Sequence, residues 1–182
     1  MRHGRVDQSG KAWIAAHELR SYIEDYNSAP IIPPTTGCPP LCDAPFVLCS
    51  SLRRSTDSAG LRFGRHERSD AIFNEAGLPD VPLPPLPAAV LMLLARISWF
   101  LGRSKGCEPY AAFKTRVQDA ALALIDLSKD HKCVVLVGHG MLNRSIAKYL
   151  LSAGYTGPKR PASKHWACTA YSPATERANS KN

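Results

Sequence analysis

Val134-Val135-Leu136-Val137 is an uninterrupted apolar run that leads straight into Gly138-His139-Gly140. A strand with one wet face alternates apolar and polar residues, whereas a continuous apolar run reads as a parallel strand buried on both faces. A helical pattern follows from about Gly140 to Ser152. Before the strand, Glu108 to about Lys129 forms another helix, with Pro109 suited to its first turn and Tyr110, Phe113, Val117, Ala121 and Leu124 along one stripe. Helix, buried strand and helix in succession commit the chain to an α/β fold with a mostly parallel sheet. Ligands of such sheets sit beyond the carboxyl ends of the strands. That is where His139 stands.

The remaining pattern supplies further elements. Phe46 to Ser50 is a second β-prone run, and Trp13, Ala16, Leu19, Ile23 and Tyr26 recur at helical spacing, with a stop near Asn27 to Pro30. His165 to Tyr171 reads as a final edge strand. Prolines crowd residues 30–40 and 79–87, a composition that favours stiff, extended connections. Ala88 to Leu101 is apolar on nearly every face, broken by Arg96 and Ser98, and falls short of the roughly 20 residues that span a bilayer. It is read as a buried helix, a cap over a pocket or a subunit contact, the last leaving a homodimer open. No membrane span is expected.

A second histidine-glycine pair opens the chain at Arg2-His3-Gly4, and Ser51-Leu52-Arg53-Arg54-Ser55-Thr56-Asp57-Ser58-Ala59 follows the strand at 46–50. Phe73-Asn74-Glu75 places an acid between these and Gly138-His139-Gly140. In this order the four elements resemble the histidine phosphatase superfamily, the phosphoglycerate-mutase-like enzymes of branch 1. The resemblance implies one domain over 1–182: a three-layer α/β/α sandwich with a mostly parallel central sheet and a cap or loop insertion at about 79–107. It also implies an apolar strand before Arg2-His3-Gly4. Only Met1 stands there, so the first strand reads as truncated: either the true start lies upstream, where a targeting signal could also sit, or the sheet folds with a weakened centre.

By the same resemblance, His3 is the nucleophile, His139 is catalytic and a phosphate donor, and Arg2 and Arg54 bind phosphate, with Arg53 at a variable position. A neutral imidazole attacks phosphorus, and the labile phosphohistidine discharges to water, so one hard displacement becomes two easier ones. Guanidinium forks match phosphate oxygens and stabilise charge on the transferred group. Glu75 is the candidate acid and base for the leaving alkoxide, with Asp7 as the fallback. Gly140 rather than Asp follows His139, which argues against the phytase-like branch. The implied activity is a phosphomonoester hydrolase acting on a small phosphorylated substrate, with no metal and no cofactor. A phosphoglycerate-mutase-type phosphotransferase is the alternative, disfavoured by the compact chain and by Ser9 where the mutases carry Asn. A non-catalytic phosphate-ligand binder and a proline-rich interaction module are the competitors from other classes. His17, His66, His131 and His165 lack such company and are read as structural or surface residues.

Composition agrees with one enzyme domain: 182 residues, 45% hydrophobic and 21% charged, with a net charge of +8. The basic residues are scattered rather than clustered, so an anionic small molecule explains the excess and no nucleic-acid partner is expected. Cys49, Cys133 and Cys168 fall in apolar runs where a reduced thiol packs as a small hydrophobe. Cys38 and Cys42 have no partner pair or nearby histidine to complete a zinc site. A reduced, cytoplasmic protein is the expectation.

Overall fold

The structure, a computed structural model, describes residues 1–8, 12–34, 42 and 44–174. Ser9, Cys38, Pro39 and Pro40, which carried part of the sequence reading, lie outside the described residues. In chain order the elements are β1 (Trp13–Ile14), α1 (Leu19–Ser28), β2 (Phe46–Ser50), α2 (Arg53–Phe63), β3 (Arg68–Asp70), β4 (Leu86–Pro87), α3 (Ala88–Phe100), α4 (Tyr110–Asp130), β5 (Val134–Val137), α5 (Gly140–Ser152), β6 (Tyr155–Thr156) and β7 (Ser172–Pro173), with 3-10 turns at Ala16–Glu18 and Ala71–Phe73.

Strand β2 lies at the centre of a parallel sheet ordered β3-β2-β5, paired through Leu48 to Arg68 on one side and Phe46 to Val134 on the other. Alternation along β2 sorts its side chains into two layers. Val47 and Cys49 pack with Val135, Val137 and Ala59 of α2, while Leu48 joins Phe113 and Val117 of α4 and Leu142 and Ile146 of α5. Helices therefore cover both faces in a three-layer α/β/α arrangement. Among the described residues, the sheet continues beyond β5 as a single parallel bridge from Arg2 to Gly138. His3 N–H donates to Gly138 O at 3.0 Å and Gly138 N–H to Met1 O at 2.9 Å.

An aromatic group fastens α3 to this core. The Trp99 ring meets the edges of Tyr110 and Phe113 at centroid distances of 5.1 and 5.3 Å, and its indole N–H donates to Glu108 O at 2.7 Å. A smaller cluster of Ile14, Leu19, Val81, Ala88, Leu91 and Ala95 joins β1, α1 and α3.

Four expectations need correction. The first helix begins at Leu19, because Trp13 and Ile14 instead pair antiparallel with Pro87 and Leu86. Residues 165–171 do not form a strand: Trp166 takes φ 66°, a left-handed turn that breaks extension, and only Ser172–Pro173 pairs, with β6. Helix α3 is not fully buried. It turns Leu91, Ala95 and Trp99 inward and leaves Leu93, Ile97 and Phe100 exposed. Finally, Cys42 and Cys133 form a disulfide across a separation of 91 residues. Cys133 directly precedes β5, whose pairing with β2 brings the segment before Phe46 alongside it. The reading of Cys133 as a reduced hydrophobe was wrong, and the cysteine argument for a reducing compartment goes with it. Among the described residues, no helix is long and apolar enough to cross a membrane.

Candidate active site

The carboxyl ends of β2 and β5 and the bridge at Arg2 converge on one point. The rings of His3 and His139 lie 5.1 Å apart, and both residues are almost fully buried. Each is held by a different device. His3 hangs from the main-chain bond to β5, and its Nδ1 lies 2.7 Å from Gly4 O. A carbonyl can only accept, so Nδ1 carries the proton and Nε2 the lone pair. Gly4 N–H donates to Ser58 Oγ of α2 at 2.8 Å, tying the turn after His3 to that helix. A side chain at Gly4 would collide with the Trp166 ring and Ile31, so close packing demands glycine there.

His139 is the N-cap residue of α5, and its Nε2 is 2.6 Å from the buried Ser50 hydroxyl at the end of β2. Its Nδ1 is buried without a hydrogen-bond partner. A side chain at Gly138 would meet Asn143 Oδ1, the tip of a side chain that would have to turn aside.

Arg54 lies in the first turn of α2, 5% exposed, with its guanidinium carbon 5.3 Å from the centre of the Tyr26 ring and Nη1 donating to Asn27 Oδ1. Its Nε, like that of Arg2, is buried and unpartnered. Arg2 Nη1 donates to Ser163 O. Arg53, by contrast, points outward to Asp57 at 3.3 Å. Burial, followed by the Arg54 charge, lowers the pKa of His3 to about 3. The same two causes hold His139 well below the usual histidine range. Both rings are neutral at pH 7.

Glu75 faces the start of α5. Oε2 accepts from Met141 N–H at 2.9 Å and Oε1 from Leu142 N–H at 3.0 Å, so the carboxylate occupies two of the free amides at the start of the helix. Burial lowers the pKa of Arg54, and the negative charges of Tyr26 and Glu75 act against that shift. The loop carrying it is clamped. Arg116 pairs with Glu108 and donates to Ile72 O and Asn74 O, each at 2.8 Å, while Arg96 donates to Ala76 O and Gly77 O. Asp7 is exposed.

Several members of this site were not legible beforehand. Ser50, Tyr26 and Asn27 carry no motif, and Ser58 stands inside the 51–59 element without a role assigned to it. His165, read as structural or surface, has its ring 5.2 Å from that of His3 and its Nδ1 3.0 Å from His3 O. His17, His66 and His131 do not enter the site's contacts; His131 stacks on Phe46 instead. Among the described residues, no group of three His, Cys, Asp or Glu side chains is arranged to hold a metal ion.

No curated protein sequence matches this chain significantly. Among solved structures, an open reading frame product of Mycobacterium tuberculosis matches with a TM-score of 0.52 at 15% identity, over 94% of this chain and 92% of that one. At that identity the likeness speaks for the fold. A mycobacterial glucosyl-3-phosphoglycerate phosphatase matches at 22% identity over 83% of this chain and 77% of its own, with a TM-score of 0.47. A protein described as mycobacterial hydrolase 1 matches at 20% identity over 93% and 97%, with a TM-score of 0.49. The family model of the histidine phosphatase superfamily (branch 1) matches residues 42–180. That span holds Arg54, Glu75 and His139 and most of the chain, and on this match the chain belongs to the histidine phosphatase superfamily, branch 1.

Proposed function

We propose that the protein is a phosphomonoester hydrolase working through a phosphohistidine on His3. The observation that carries this reading is the pair of buried, neutral histidines beside buried arginine N–H groups that no protein acceptor uses. Unpaired buried donors cost about 1–3 kcal/mol each. A bound phosphate would satisfy several at once.

In the first step the lone pair on His3 Nε2 attacks phosphorus as the ester P–O bond breaks, and Glu75, in its protonated form, gives its proton to the departing alkoxide. In the second, the Glu75 carboxylate takes a proton from water as the water oxygen attacks phosphorus. The P–N bond breaks, and phosphate and neutral His3 are regenerated. Arg2 and Arg54 face the charge on the equatorial oxygens. With Ser50 donating to Nε2, His139 carries its proton on Nδ1, the atom without a protein partner, and donates it to the same oxygens.

Glu75 serves as the acid in preference to Asp7 because helix amides fix it, and Oε2, which accepts from Met141 N–H, keeps a further lone pair for proton exchange while Oε1 is taken by Leu142 and Ala76 N–H. Residues 79–107, which include α3, are the segment we take to cap the site and to read the leaving group. The test is a phosphatase assay over a panel of phosphorylated metabolites with rapid quenching. Acid-labile, base-stable phosphate should appear on His3, and His3→Ala should lose both label and turnover. Label surviving in His3→Ala would remove the assignment.

A further inference from the structure

We infer that His165 is a positioning residue for His3, an inference that rests on the nucleophilic role proposed above. His165 Nδ1 is 3.0 Å from the main-chain oxygen of His3. Because that oxygen can only accept, His165 donates and holds its own proton on Nδ1.

The segment around it grips the nucleophile's strand stub from the side opposite β5. Arg2 N–H donates to Ala167 O at 3.0 Å and Trp166 N–H to Arg2 O at 3.1 Å. The Trp166 indole N–H reaches Ile32 O at 3.3 Å, and its ring lies where a Gly4 side chain would be. Trp166 adopts φ 66°, a conformation that costs a bulky residue of order 1–3 kcal/mol and persists where the surroundings over-determine it. That turn is what swings His165 back against His3.

Beside β5 the stub has one bridge and not a full ladder. Gly138 O holds the peptide that enters His3, and the peptide that leaves it is held on its two sides by His165 at the oxygen and by Ser58 at Gly4 N–H. Loss of the His165 bond leaves the His3–Gly4 plane held only through Gly4 N–H to Ser58 Oγ, so the plane can tilt about that one tether and carry with it the ring that must present Nε2 in line with phosphorus. A displacement of about 1 Å in a reacting group costs on the order of 100-fold in rate.

The test compares His165→Ala with His165→Asn, whose amide N–H overlays the imidazole Nδ1–H and retains the donor. Nitrogen-15 NMR of the His3 ring, identified by its loss in His3→Ala, should show one Nδ1–H tautomer in the native protein and in His165→Asn. In His165→Ala the signal should split or shift. In stopped-flow assays with a reactive phosphomonoester, His165→Ala should form phosphohistidine about 10–100-fold more slowly at nearly unchanged KM, and His165→Asn should recover most of the rate.

Unchanged His3 resonances in His165→Ala overturn the inference, as does an Asn variant as impaired as Ala at equal melting temperature. A native protein that never labels on His3 would instead overturn the hydrolase reading. The NMR comparison still decides whether His165 orders the His3 ring.

Discussion

Arg53 and Arg54 are neighbours in sequence and opposites in placement. One is paired to Asp57 at the surface, and the other is buried against Tyr26 and Asn27 with an unused Nε. Arg54→Ala should lower kcat/KM by an amount equivalent to about 2–4 kcal/mol, by analogy with loss of an oxyanion donor, while Arg53→Ala should change little. Equal losses would show that the phosphate ligand has been misassigned. The buried histidines also set a pH signature. Their folded-state affinity for protons is depressed, so below about pH 6.5 the unfolded chain takes up protons that folded His3 refuses down to about pH 3. Their contribution to stability is complete above that window and is lost as pH falls through it, at up to about 1.4 kcal/mol per pH unit for each histidine. Urea midpoints between pH 6.5 and 5, above most carboxylate titrations, should fall in the native protein and fall less steeply in Arg54→Ala. A flat native profile would contradict the buried, neutral pair.

At the scale of elements, the start of α5 is shared between structure and chemistry. Glu75 satisfies two of its orphan N–H groups, so Glu75→Ala should cost about 0.5–2 kcal/mol of stability, as loss of a helix cap does. If Glu75 is also the leaving-group acid, the variant should slow alkyl phosphates strongly and spare aryl phosphates, whose leaving groups need less protonation. Equal losses on both would leave capping as its whole role. Most elements were legible because their periodicity is unambiguous. Helix α5 begins at Gly140 and ends at Ser152, and the structure gives α4 as Tyr110–Asp130. Residues 13–14 and 165–171 misled for one reason: an apolar pattern does not say whether a neighbour will pair with it. Trp13 and Ile14 found β4, whereas residues 165–171 turn at Trp166 to clasp Arg2 and His3.

For the whole molecule, the Cys42–Cys133 bridge closes a loop of about ninety residues that contains β2, α2 and α4. In the chain-entropy limit such a crosslink contributes roughly 4–5 kcal/mol. Reduction, or Cys133→Ser, should therefore lower the melting temperature markedly while leaving phosphate affinity intact, since neither cysteine touches the site. A reduced protein that melts unchanged would mean that the bridge does not form in solution.

What the sequence by itself determined was the scaffold and the positions of the four residues that the fold gathers at one point. His3, His139, Arg2 and Arg54 are each marked by a local motif, and β5 by an apolar run too continuous for an exposed strand. Short-range patterns can be read because the strand and helix periods act over a few residues. Only the tertiary structure decided which distant groups complete the site. Ser50 on His139, Asn27 on Arg54, Arg116 on the Glu75 loop, His165 on His3 and Cys42 on Cys133 are pairings across 27 to 162 residues. No local pattern encodes them. They follow from sheet order and from a left-handed turn at Trp166, features that exist only once the chain has packed against itself.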